Sequence, residues 1–115
     1  MTYKDLKVWE KSMELVSEIY RLVKLLPKEE HYVLSDQMRR AAISIPSNIA
    51  EGYERYHTKE YLRFLMIARG SKAELETQLL ICEKLNLLPP QQTTVALSLC
   101  DEIGRMLNAI KDKLQ

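Results

Sequence analysis

An up-down-up-down antiparallel four-helix bundle, all-α, with its second helix kinked at Pro46, is the fold this 115-residue sequence predicts. Three observations carry that reading. Helix formers dominate, and only three glycines and four prolines interrupt them. Apolar residues recur at three- and four-residue steps through four segments. The breaks between those segments are short, which makes successive helices antiparallel neighbours. The length suits one domain over residues 1–115 with one core.

The first helix is expected from Asp5, as N-cap, to about Leu26, where Pro27 stops the pattern. Trp9, Met13, Val16, Tyr20 and Val23 form one apolar stripe on it, and Leu15, Ile19, Leu22 and Leu26 form a neighbouring one. Pro27-Lys28-Glu29-Glu30 then reads as the start of a second helix that reaches Tyr53–Tyr56. Thr58 is the expected N-cap of the third, which runs to about Asn86. After the break at Pro89-Pro90, the fourth spans about Gln92 to Lys113.

Pro46 falls inside the second helix, where it removes a backbone donor and crowds the carbonyl four residues earlier. The apolar stripe (Leu34, Met38, Ala41, Ala42, Ile45, Ile49, Tyr53) keeps its phase on both sides, which predicts a kinked helix and not two separate ones. Asn48 with Glu51 resembles a capping pair that would tie down amides near the defect. The opposite stripe, Gln37, Arg40, Ser44, Asn48, Glu51 and Arg55, is polar throughout. It reads either as a solvated face with a Glu51–Arg55 pair or as a hydrogen-bonded subunit seam.

Tyr61 to Ala68 is apolar at seven of eight positions, so two turns of the third helix are hydrophobic nearly all round. Together with the wide apolar arc of the first helix, this run predicts a homo-oligomer; the alternative is a monomer that buries these groups in a thick core. Tyr61, Leu62, Phe64, Leu65 and Met66 are the candidate interface, and Gly70-Ser71 are small enough to admit another helix.

Composition excludes several classes. Net charge is +1 from 17 basic and 16 acidic residues, with no basic tail, so one protomer lacks the charge for strong non-specific nucleic-acid binding. The N-terminus lacks an apolar signal region and no stretch is long enough for a membrane span, so a cytoplasmic protein with no membrane partner is expected. Cys82 and Cys100 sit in apolar helical context and are expected as buried thiols. Glu54-x-x-His57 resembles half of a di-iron carboxylate motif, but the second Glu-x-x-His is missing. With no nucleophile elbow, phosphate loop or zinc spacing either, neither catalysis, a cofactor nor a metal is expected.

SDQMRRAAISIPSNIAEGYER (35–55) followed by YLRFLMIARGSKAELETQL (61–79) resembles the bacterial four-helix bundle family whose members are encoded in intervening sequences of 23S rRNA genes. DLKVWEKSMEL, LPKEEHYVL and the terminal MLNAIKDKL extend the resemblance over nearly the whole chain. It implies a compact helical protomer and a ring-shaped homopentamer. A similar bundle, the accessory variability determinant of diversity-generating retroelements, is markedly basic, binds nucleic acid and works with a reverse transcriptase. The family pattern falls on Gln37, Arg39, Arg40, Ser44, Pro46, Asn48, Glu51, Gly52, Arg55, Gly70, Ser71, Glu74 and Glu76, and Arg69 joins them as a candidate interaction residue. These are signature positions without a catalytic role. The expectation is a non-enzymatic oligomeric scaffold; the alternative is an accessory protein that binds RNA or DNA.

Overall fold

A computed structural model describes residues 1–115 as four helices in a rod of 43 × 23 × 20 Å. Helix α1 spans Lys7–Val23, α2 Leu34–Tyr53, α3 Thr58–Lys84 and α4 Pro90–Leu114. Both α1 and α3 pack against α2 and α4, and the α2–α3 seam is the most extensive. The chain has no strand, and no helix is long and apolar enough to cross a membrane.

The boundaries moved for local reasons. Asp5 does not cap α1. Its carboxylate turns back to accept the Thr2 amide at 2.8 Å, which closes a short 3-10 turn over Tyr3–Asp5. Leu6 is extended, and α1 starts after it. At the other end α1 stops at Val23, three residues before Leu26, the residue that Pro27 forbids from helical geometry. The amides of Leu25 and Leu26 tighten onto Leu22 and Val23 instead.

The second helix does not begin at Pro27. Lys28–Glu30 form a separate 3-10 turn, and α2 starts at Leu34. Tyr32 and Val33 point to solvent, so the connection has no apolar stripe to hold it against the bundle. From Leu34 onward the stripe exists, and Met38, Ala42, Ile45 and Ile49 are fully buried. The helix continues unbroken through Pro46, whose ring is itself buried.

Thr58 is the first residue of α3, and the extended residue before it is His57, which makes no side-chain cap. Twenty-seven residues at about 1.5 Å each give α3 about 40 Å, nearly the whole rod. Its C-terminus unwinds through Asn86, the one non-glycine residue with positive φ (58°), and the Leu87 amide returns to the Cys82 carbonyl at 2.8 Å. Pro90, not Gln92, opens α4, since a first-turn residue needs no amide hydrogen. The Thr93 hydroxyl then donates to the Glu83 carboxylate and ties the two helix ends together.

The two stripes read on the first helix face the core unequally. Leu15, Ile19 and Leu22 are fully buried among Leu65, Leu75, Leu79, Ile103 and Leu107, whereas on the other stripe Val23 is buried, Trp9 and Val16 pack half-buried against the core, and Met13 and Tyr20 remain 44% and 41% exposed. Cys82 and Cys100 are free, buried thiols. Burial is the main cause that pushes Cys82 up to about 11 and Cys100 up to about 12, with Glu30 and Glu83 adding to the first and Glu76 to the second.

Two predictions follow from this packing. Asn86→Ala should destabilise the protein by about 1–2 kcal/mol, because alanine resists the left-handed conformation. Asn86→Gly should stabilise it by about 0.5–1 kcal/mol in chemical denaturation. The thiols give an alkaline limit. A thiol with a raised folded-state pKa holds its proton more tightly when folded, so its stabilisation is complete below about pH 9 and fades as pH rises toward 11 and 12. Denaturation midpoints from pH 8 to 11 should therefore fall, and Cys100→Ala should flatten the fall more than Cys82→Ala.

Candidate functional site

The polar stripe of α2 does not converge on one point. From Gln37 to the last helical residue, Tyr53, it covers about 24 Å of helix, and Arg55 lies just beyond. Along that length the side chains separate into three groups. At the first, Arg39 and Arg40 both reach Asp36, at 3.9 and 3.4 Å, and the Arg39 guanidinium also lies over the Tyr20 ring of α1. Gln37 beside them is exposed.

The middle group joins α2 to α3. Ser44 Oγ and Ser71 Oγ are 2.8 Å apart, and Asn48 Nδ2 donates to the Ser44 carbonyl at 2.8 Å and to its hydroxyl oxygen at 2.9 Å. Asn48 therefore turns back to Ser44, one turn earlier, and does not form the expected pair with Glu51. The physical reason is the partly buried seam, where the Ser44 oxygens are the nearest acceptors for a side-chain amide that water reaches poorly. Ser71 spends its small size on this contact inside the chain. Gly70 beside it faces open space, where an added Cβ would meet nothing.

At the third group, Arg55 bridges Glu51 at 3.4 Å and Glu60 at 3.8 Å, so it links the end of α2 to the start of α3. Its guanidinium and that of Arg63 each lie about 5 Å from the Phe64 ring centre. Gly52 makes this end possible: a Cβ there would stand 2.6 Å from Phe64 Cβ. Farther along α3, Glu76 holds Lys72 at 3.0 Å and Glu74 accepts from Gln78 at 3.2 Å, while Arg69 is exposed and unpaired.

The apolar run on α3 is mostly consumed within its own chain. Phe64 is 7% exposed, and Leu65 and Ala68 are fully buried. Tyr61, Leu62 and Met66 are half-buried. Phe64 and Leu65 consequently offer no surface to a second copy: the tight α2–α3 approach at Gly52 covers Phe64, and Leu65 belongs to the core. Ile67, which was not among the candidate interface residues, is the exposed member at 42%.

An unclaimed apolar surface lies between α1 and α2. Tyr3, Trp9, Met13 and Val16 form one wall, and Ile43 and Pro46 form the other, around a groove of about 310 Å³. Trp9 and Tyr3 meet edge to face with ring centres 5.4 Å apart. The Trp9-Met13-Val16-Tyr20 stripe was the available signal. What the sequence lacked was the register that leaves Met13 and Tyr20 exposed and Trp9 and Val16 half-buried.

Chemically the surface is quiet. No three His, Cys, Asp or Glu side chains gather at one place, and Glu54 and His57 are both exposed. Seven of the 17 basic side chains (Lys11, Arg21, Arg39, Arg40, Arg55, Lys72 and Arg105) are already paired with acids of the same chain. Two signals escaped sequence reading. Gln78 is only 5% exposed with its carbonyl oxygen unpartnered, and Lys72 folds over Gly104, 3.1 Å from where a Cβ would sit.

The Ser44–Asn48–Ser71 pin gives a direct test. Asn48→Ala and Ser71→Ala should each cost about 1–2 kcal/mol in urea denaturation. Because both act through Ser44, the double variant should lose less than the two single losses together.

Comparison with known proteins agrees with the geometry. No curated protein matches the chain. A crystal structure from Bacteroides thetaiotaomicron VPI-5482, of a protein with unknown function from the S23 ribosomal protein family, superposes with a TM-score of 0.84 at 27% identity. The superposition covers 90% of this chain and 97% of that one. The family model of the 23S rRNA-intervening sequence protein matches residues 4–109, nearly the full length of all four helices, and this chain belongs to that family.

Proposed function

We propose that this chain is a non-enzymatic building block of a homo-oligomer, a pentameric ring on the family resemblance, whose assembled surface docks another macromolecule. The carrying observation is the α1–α2 face. Met13, Tyr20 and Ile43 are each more than 40% exposed there, around the groove whose walls include Trp9 and Pro46. Adjacent apolar side chains of this size on one face mark an interaction surface.

A closed ring needs two different patches on each copy, one for each neighbour. A second group supports this: Leu80, Ile81, Leu85 and Val95 are exposed around the C-terminus of α3 and the start of α4. Phosphate binding has less support. The net charge is +1, with 16 acids set against 17 cations, so the chain has little excess positive charge with which to displace counterions from a nucleic acid.

Light scattering on the eluting protein at micromolar concentration should give a mass several times that of the 13.4 kDa chain. Met13→Glu combined with Ile43→Glu should shift it to the monomer with helicity retained, since neither residue belongs to the buried core. A native chain that runs as a monomer overturns the proposal.

A further inference from the structure

A second groove, separate from the α1–α2 face, lies where the first turn of α1 meets the last turns of α4. Its volume is about 430 Å³. Val8, Met106, Ala109 and Ile110 give it an apolar floor continuous with the core, since Val8 belongs to the buried cluster and Met106 and Ile110 pack against it. Ala109 ends at a methyl between longer neighbours, which gives the groove its depth.

The charged lining is of one sign. Lys7 and Lys113 stand on the groove, no acid lines it, and neither ammonium is paired within the chain. Only Lys11 and Lys72 of the ten lysines are ion-paired, and of the eight that are not, Lys7 and Lys113 are the two that stand on an apolar groove. An apolar trough carrying two uncommitted positive charges complements an apolar body with a negative head.

Size selects between occupants. Seven residues line the groove, whereas a specific protein partner engages about 20–30 on each side. The volume instead falls in the small-ligand range, about 300–1,000 Å³. Met106 to Lys113 spans about 10 Å of helix, the length of about eight methylenes. We infer that the α1–α4 groove binds a single-chain amphiphile with an anionic head, a medium-chain fatty carboxylate, its tail on Met106, Ala109 and Ile110 and its head at Lys7 and Lys113. This inference does not rest on the assembly reading, which uses a different face.

The test is a titration of the full chain with hexanoate, octanoate and decanoate, each below its micelle concentration, followed by methyl NMR. Shifts should appear at Met106, Ala109 and Ile110 and not at Met13 or Ile43. Affinity should tighten by about twofold to fourfold per added methylene. Lys7→Glu with Lys113→Glu should weaken octanoate by about fivefold or more, and Ala109→Leu, a surface change that fills the floor, should abolish binding. Four results would overturn the inference. These are methyl octanoate binding as tightly as octanoate, indifference to both sets of substitutions, shifts confined to the α1–α2 groove, and groove signals that follow protein concentration in place of ligand, which would mean a second copy sits there.

Discussion

The close approach of α2 to α3 governs the rest of the molecule. Three contacts fix it along the rod: Met38 sulfur against Cys82 sulfur at 3.8 Å, the Ser44–Ser71 hydrogen bond, and Gly52 against Phe64. Small or polarisable groups occur at each point, so the helices come together without a bulky spacer. Once this seam is set, the rotation of α2 about its axis is set too. Ala42, Ile45 and Ile49 turn into the core, Ser44 and Asn48 turn toward α3, and Ile43 and Ser47 are left on the α1 side. The fate of the Tyr61–Ala68 run depends on the same seam, because α2 covers Phe64 from one side while the core takes Leu65 and Ala68.

Pro46 gains a physical account from this arrangement. Its missing amide leaves the Ala42 carbonyl without its usual helical partner, a cost normally large enough to end a helix. Burial on both flanks keeps the helix running, with Ile45 and Ile49 fixed in the core one turn apart. The ring is also an apolar side chain at a surface that needs one: it forms part of the groove wall opposite Met13 and Val16. The position thus serves a surface within a helix that runs on through it.

Charge is used mainly locally. Most ion pairs are three or four residues apart on one helix, such as Asp36–Arg40, Lys72–Glu76 and Asp101–Arg105, and each is worth only a few tenths of a kcal/mol when exposed. Pairs that cross helices, such as Arg55 with Glu60 and Lys11 with Glu102, fasten the bundle edges. With 17 basic and 16 acidic residues on the same chain, little long-range field is left. The two apolar grooves are accordingly the surfaces proposed for recognition, and Lys7 and Lys113 are the unpaired cations that line one of them.

The all-α class, the four helices, their order and the buried cysteines were legible in the sequence because they depend on local periodicity and on proline positions. Leu15, Ile19 and Leu22 on one helix, or Met38, Ile45 and Ile49 on another, mark a core face whatever the partner. Helix ends were less legible, since the Asp5 carboxylate had the Thr2 amide within reach as well as the first amides of α1, and only the folded chain shows the choice. The site was least legible. Trp9 and Met13 lie on a stripe as apolar as its buried neighbour, and Phe64 looks as available for a subunit contact as Ile67. Only tertiary structure decides between such pairs, because burial follows from the rotation of one helix against another, and that rotation is set by contacts between residues far apart in the chain.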